Sequence, residues 1–399
     1  MKKNLLKGCL AASTLLLSVS CGSEAAPERD YLAEALELQS RILTLDTHAD
    51  TPMLLWREGY DPAKDNVGAC IDFPKMRKGK LDMATFAIFT GQGPLDKEST
   101  DNVYKKAKDT FVKIQEAIAQ NRDSVMLIQT PDDIIRGNKE GKIMIFPSIE
   151  NSYPIGEDLS RIDTFYNMGI RMFGIVHSKL NALSDSSTDE PKYNGLSETG
   201  KALIKKLNDL NALIDVSHAS DAATLQMLQL SKDPIVATHS SAQSVASSPR
   251  NLNDEILDAF KANGGVIQLC FLDAYTKDIP ENEAYNKEKH AIRSQMREKG
   301  ANIDSLRAVS AKLIEKYPDQ KVYVKDFVDH MDYIKNRIGV DYMGMGSDFD
   351  GGGGVYDCAD ASQFPNITAE MLRRGYTEEE IAKIWGLNFL RVYQQVAAE

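Results

Sequence analysis

Eight short apolar runs recur along the chain, at residues 43–50, 83–91, 142–151, 170–178, 214–220, 234–240, 265–271 and 342–352. Each has the length of a strand rather than of a helix. Segments with helical spacing lie between most of them. Residues 100–121 place Val103, Ala107, Phe111, Ile114 and Ile118 on one face. Residues 158–168, 197–210, 221–230, 253–262 and 322–339 read as further helices, with Ser197 suited to cap its own. Parallel strands need a long crossover, which a helix supplies. The alternation predicts an α/β fold, a (β/α)8 barrel of the TIM type. An open doubly wound sheet is the alternative. No Gly-x-Gly-x-x-Gly follows an early strand, so a dinucleotide fold has no support.

The length of 399 residues suits one large barrel with insertions, or two medium domains. The reading adopted is a single barrel domain over 31–399. Residues 31–42 form a helix before the first strand and 52–81 an irregular excursion after it. Residues 272–321 are charged and largely helical, an insertion after the seventh strand. Residues 367–397 form a C-terminal helical pair, with Thr377 as cap of its second member.

The N-terminus reads as a secretory signal over 1–20. Lys2, Lys3 and Lys7 precede a short apolar segment from Leu10 to Val19, too short to span a bilayer as a mature helix. The stretch LLLSVSC resembles a bacterial lipoprotein signal with Cys21 as the lipidated first mature residue. Ser18 departs from that pattern, which usually has Leu three residues before the cysteine. A plain secretory signal cut near Ala25 or Ala26 is the alternative. Residues 21–30 then form a polar tether. The expectation is an exported lipoprotein, anchored to a membrane in the periplasm or at the cell surface through its N-terminal lipid only. The net charge of -11, with no basic cluster in the body of the chain, argues against a nucleic-acid partner. Of five cysteines, Cys9 lies in the signal and Cys21 would carry lipid. Cys70, Cys270 and Cys358 allow one disulfide but no disulfide framework. Cys270, in an apolar run, reads as a core residue.

Ionisable residues collect at the ends of the predicted strands. His48 and Asp50 end the first, Glu150 the third, His177 the fourth, His218 the fifth and His239 the sixth. Asp348 ends the eighth, with Asp350 just beyond. The other two of six histidines, His290 and His330, fall in helical segments and read as solvated. Singly, each of these residues has an ordinary structural explanation. In a barrel, however, all strand ends converge on one face, where catalytic groups sit. His48 and Asp50 make one half of a metal site, His218 and His239 the other, and the two oxygens of Glu150 can bridge them. Two zinc ions so held would share a hydroxide of near-neutral pKa. That nucleophile needs no serine elbow, and no Gly-x-Ser-x-Gly is present. Asp348 would take the proton from the bridging water and pass it to a leaving amine. His177 would steady the oxyanion.

The set resembles the membrane (renal) dipeptidases, binuclear zinc peptidases on a (β/α)8 barrel. The segments that carry the resemblance are DTHADT, SIEN, VHSKLN, IDVSHAS, ATHSSAQSVASSPRNL, GSDFDGG and GLNFLRV. They run from about residue 40 to 395. His-x-Asp at the first strand sets the chain apart from barrel amidohydrolases with His-x-His. The resemblance implies two zinc ions held by His48, Asp50, His218 and His239 with Glu150 shared, His177 against substrate and Asp348 as acid/base. It also implies that Arg250 clamps the free carboxylate of a dipeptide substrate. Read without the resemblance, Arg250 is a helix-start ion-pair residue beside the cap at 251–254. The chain departs from the resemblance at Glu150-Asn151, where the family's vertebrate members often have Glu-Gly. In the seventh strand, VIQLCF, the polar side chain that some relatives use for substrate has no evident counterpart. Barrels of this family often pair, which admits a homodimer. Two other readings stay open: a metal-dependent barrel hydrolase of N-acyl amino acids, lactones or phosphoesters, and a non-catalytic peptide-binding lipoprotein.

Overall fold

The computed structural model describes residues 29–298, 309 and 312–398. The signal-like segment, Cys21 and the tether up to residue 28 lie outside the described residues, as do 299–308, 310 and 311 within the charged segment after the seventh predicted strand.

The strands are β1 (Leu45–Ala49), β2 (Met83–Phe89), β3 (Val125–Leu127), β4 (Ile143–Glu150), β5 (Met172–Gly174), β6 (Leu213–Asp215), β7 (Val236–Ala237), β8 (Val266–Leu269) and β9 (Met343–Met345). Eight of them form a nearly closed parallel barrel in the order β1-β2-β4-β5-β6-β7-β8-β9. These are the eight apolar runs of the sequence. The ninth, β3, was not anticipated. It is three residues long and lies off the barrel path, pairing with β4 at Ile143–Ile145. The opposite edge of β4 pairs with β2 along its length, from Met83↔Met144 to Phe89↔Glu150. Past the reach of β3, β4 pairs with β5 at Ile149↔Phe173.

Several barrel strands are shorter than their apolar runs, because the residues that follow turn out of the ladder. His218 and Asp348 have φ of 69° and 58°, in the left-handed region that ends extended structure. Side-chain caps then start the next helices at once. Ser220 accepts from Ala223 N–H to open Asp221–Leu230, and Asn253 accepts from Ile256 N–H to open Asp254–Asn263. Ser197 caps Glu198–Asp209 in the same way. The stretch between β6 and its helix is therefore pinned at both ends, with His218 in it.

The bottom of the barrel is plugged. Leu45, Met83, Met144, Met172, Leu213, Val236 and Val266 lie at the starts of their strands and pack with Phe389, Val392, Tyr393 and Val396. These last four come from helix Asn388–Ala397, at the end of the second C-terminal helical segment. A capping box between Thr377 and Glu380 starts that segment. Phe389 and Tyr393 meet Phe146 from the barrel interior at ring separations of 6.1 and 5.3 Å. Among the described residues no helix is long and apolar enough to cross a membrane.

The reading of His330 as solvated is corrected. His330 lies on helix Val324–Arg337 and is fully buried. Its Nδ1 accepts from Ala242 N–H at 3.1 Å and its Nε2 meets the Thr276 carbonyl at 2.9 Å. Both partners are distant in sequence, so helical spacing alone could not place the ring inside. His290 is exposed. Cys70, Cys270 and Cys358 are all buried.

The plug makes a direct prediction. Phe389→Ala removes a buried aromatic ring and should cost about 3–5 kcal/mol of unfolding stability. Denaturant titration with metal analysis should show that loss without a change in metal bound per folded chain.

Candidate metal centre

Closure of the barrel assembles the site. β1 meets the segment after β9 through Asp50 N–H to Phe349 C=O at 2.8 Å and Asp348 N–H to His48 C=O at 3.0 Å. Thr47, between Asp46 and His48, points inward and donates to the carbonyls of Met345 at 2.8 Å and Thr238 at 3.1 Å. One hydroxyl thus ties β1 to β9 and β7. Gly346 permits this approach: a Cβ there would lie 1.8 Å from the Thr238 carbonyl oxygen. Gly351 has a similar reason, since a Cβ would lie 2.0 Å from Asp50 Oδ2. The glycine run after Asp350 is therefore part of the site wall.

Every strand-end residue singled out in the sequence lies on this face. Glu150 occupies the centre. Its Oε2 lies 3.5 Å from His48 Nε2. Its Oε1 lies 3.2 Å from His218 Nε2, 3.4 Å from His177 Nε2 and 3.9 Å from His239 Nε2. One carboxylate oxygen faces His48 and the other faces three imidazoles. Asp50 Oδ2 is 3.8 Å from His48 Nε2. Three groupings have the spacing of metal ligands: His48 with Glu150 and His239, His218 with Glu150 and His177, and His48 with Asp50 and Asp348. The side chains interleave more than two separate half-sites would suggest. His239 also faces His218, with the two Nε2 atoms 2.8 Å apart.

Electrostatics fit a cation here. His48 Nε2, Asp50 Oδ1, Glu150 Oε2 and His218 Nδ1 are buried with no hydrogen-bond partner, a costly state for polar atoms. Burial, reinforced by the charge of Glu150, raises the Asp50 carboxyl to about 6. Burial and the Asp50 charge hold Asp348 well above the usual carboxylate range. Burial and then the Arg250 charge push His177 down to about 4 and His218 well below its ordinary value. Burial and His48 do the same to His239. At His48 burial acts downward, but the Glu150 and Asp50 charges outweigh it and raise the ring. Three imidazoles kept neutral, and a fourth drawn to carboxylates crowded around it, form a donor set for divalent metals.

Other residues set the walls. Asp350 is not aimed at the cluster. Its Oδ1 accepts from Cys70 N–H at 2.8 Å and its Oδ2 from Thr51 Oγ–H at 2.7 Å. Asn151 has φ of 64°, in the left-handed region that glycine and asparagine adopt most readily. Its Oδ1 also accepts from Asn181 Nδ2 at 3.1 Å, joining two rim loops. Arg250 is buried and donates to the His239 carbonyl at 3.0 Å and Ser240 Oγ at 3.3 Å. Among the described residues it forms no ion pair at the helix start.

The sequence reading missed a lower layer. Asp46, fully buried and raised by burial to about 6, accepts from Ser347 Oγ–H at 2.5 Å, Ser347 N–H at 2.8 Å and His48 N–H at 3.2 Å. A signal existed: Asp46 precedes His48 by two residues, as His48 precedes Asp50, although a register irregularity between Asp46 and Ala49 interrupts strict alternation. Asp215 and Thr238, also in this layer, carry no comparable mark.

A parallel barrel with a buried His and carboxylate cluster at the C-terminal ends of its strands defines a metal-dependent hydrolase. The comparisons give the family. The profile described as membrane dipeptidase, peptidase family M19, matches residues 32–399. A crystal structure of the probable dipeptidase PvdM from Pseudomonas aeruginosa is 31% identical, superposes with a TM-score of 0.81, and covers 92% of this chain and 98% of its own. Dipeptidase tcpJ of Claviceps purpurea is 29% identical over 84% of this chain and 71% of its own length. Dipeptidase ataJ of Aspergillus terreus is 28% identical over 92% and 88%. The chain belongs to the membrane dipeptidase family and is a metal-dependent dipeptidase.

The central place of Glu150 is testable by metal analysis of the full chain. Glu150→Gln should weaken binding of all bound metal, by more than about 100-fold. Asp50→Ala should lower bound metal as well as rate. Full metal content in Asp50→Ala would make Asp50 an orienting group only.

Proposed function

We propose that the protein is a zinc-dependent dipeptidase with two zinc ions per chain, exported and held to a membrane by lipid on Cys21. The observation that carries the substrate reading is Arg250. Arg250 is 3% exposed, its Nε has no partner, and no carboxylate among the described residues pairs with it. Its charge reaches His177, His218 and Asp348 strongly enough to shift their protonation. A buried cation without an acid is costly. The free C-terminal carboxylate of a dipeptide would complete it, through the planar fork that arginine offers. The family and the relatives named dipeptidases support the same substrate class.

Bound at the cluster, zinc would supply an acidified water and polarise the scissile carbonyl. His48 and Asp50 would hold one ion, His218 and His239 the other, and Glu150, with an oxygen turned to each side, would serve both. Arg250 fixes the peptide by its carboxylate, so the scissile bond is presented in one register. Asp348, with its raised pKa, accepts a proton from water and delivers it to the leaving amine nitrogen. His177 is the least buried of the set, its side chain 28% exposed. Kept neutral, it sits at the mouth and donates to the developing oxyanion.

The test uses the full chain, a free dipeptide, and the same peptide with its carboxylate amidated. Arg250→Ala should lower kcat/KM on the free dipeptide by at least about 100-fold, as expected when one partner of a buried charge pair is removed. The amide should be a poor substrate for both proteins, at similar rates. Equal loss on both substrates would overturn the reading. A chelator should abolish cleavage. Cys21→Ala should move the protein from the membrane fraction to the soluble fraction.

A further inference from the structure

Beneath the imidazoles lies a chain of buried hydrogen bonds that the mechanism above does not use. Asp215, the last residue of β6, is buried. Its Oδ1 accepts from the backbone N–H groups of Ser217 and Thr238, both at 2.9 Å. Its Oδ2 lies 2.6 Å from Thr238 Oγ1. An ionised carboxylate only accepts, so Thr238 donates its single hydroxyl proton there. That leaves Thr238 Oγ1 with lone pairs alone for its other neighbours. The nearest is His239 Nδ1 at 2.9 Å. His239 must therefore carry a proton on Nδ1, and a neutral ring then presents the lone pair of Nε2 to the cluster. The same oxygen lies 3.4 Å from Nδ1 of His48, which sits in the other expected half of the site. The backbone holds the device in place, since Ser217 Oγ accepts from His239 N–H at 3.1 Å.

We propose that Asp215 and Thr238 are positioning residues: the Asp215 carboxylate polarises the Thr238 hydroxyl so that its oxygen fixes the Nδ1–H tautomer of His239, and with it that of His48, leaving both Nε2 atoms free to bind metal. The proposal rests on the cluster being a metal site, not on the identity of the substrate. The polarity of the chain is set by Asp215, the nearest partner of the Thr238 hydroxyl; Ser217 Oγ, which already accepts from His239 N–H, lies further off at 3.3 Å. In Asp215→Asn, the two backbone N–H groups require the amide oxygen at the place of Oδ1. The amide NH2 must then face Thr238 Oγ1. Thr238 can no longer donate there and turns its proton towards His239 Nδ1. The imidazole is driven to the Nε2–H tautomer, which has no lone pair for metal. Removing the hydroxyl outright, in Thr238→Val, leaves the tautomer undirected. Thr238→Ser keeps the hydroxyl.

Two measurements on the full chain test this. Nitrogen-15 NMR of the histidine-labelled, metal-free protein has only six histidines to assign. It should show His239 as Nδ1–H in the parent and in Thr238→Ser, and as Nε2–H in Asp215→Asn. Competition of zinc against a chelator should show affinity lowered about 10–100-fold in Thr238→Val and at least as far in Asp215→Asn, with recovery in Thr238→Ser. A purely structural role would lower thermal stability without inverting the tautomer. His239 as Nε2–H in the parent, or parent-like zinc affinity in Thr238→Val, would overturn the proposal. If Asp215→Asn does not fold, the Val and Ser variants at 238 decide it. A parent that binds no zinc would overturn the metal reading, while the tautomer of His239 would still decide this one. A parent that binds zinc but cleaves no dipeptide would overturn only the substrate reading.

Discussion

The structure depends on the seam between its first and last strands. The backbone hydrogen bonds from Asp50 to Phe349 and from Asp348 to His48 close the barrel. They are made by the functional residues themselves or their direct neighbours. Closing the fold and assembling the site are thus one event. The left-handed backbone at Asp348 and the glycines around it belong to the same constraint. A side chain at Gly351 would press on Asp50 and Asp348 at the seam, and one at Gly346 would strike the Thr238 carbonyl beyond β7. Strain of this kind is tolerated where the surroundings over-determine it. Here Thr47, Asp46 and Ser347 supply that surrounding from inside the barrel.

The two ends of the barrel divide the work. The lower end is filled by strand-start side chains and the C-terminal helix, a dry core that fixes the strand positions. The upper end is polar, buried and rich in carboxylates and imidazoles. Such a group of charges is unfavourable unless paired or bound to metal. Glu150 is the residue that unites it, with one oxygen turned to His48 and the other to the remaining three histidines. Arg250 adds a positive charge close by that no carboxylate among the described residues pairs with, the feature on which the proposed dipeptide reading rests.

Much of this was legible in the chain. The eight barrel strands were marked by their apolar runs, and the ionisable residues at their ends could be gathered once a barrel was inferred. What escaped was long-range. His330 looks like any polar helix residue, and only the backbone of Ala242 and Thr276 makes it an interior one. The strand Val125–Leu127 is too short for a periodic signal and exists because one edge of β4 is open at its start. Asp215 and Thr238 resemble ordinary strand residues; their role appears only when β6 and β7 lie side by side. Arg250 was found through family resemblance, since nothing in its own neighbourhood of sequence reveals that it will be buried without an acid.

Anomalous diffraction at the zinc edge, from crystals of the full chain grown with zinc, tests the central claim most directly. The account predicts two zinc peaks flanking the Glu150 carboxylate, one beside His48 and Asp50 and the other beside His218 and His239, with Arg250 bound to neither. A single peak, or two peaks that do not share Glu150, would contradict it.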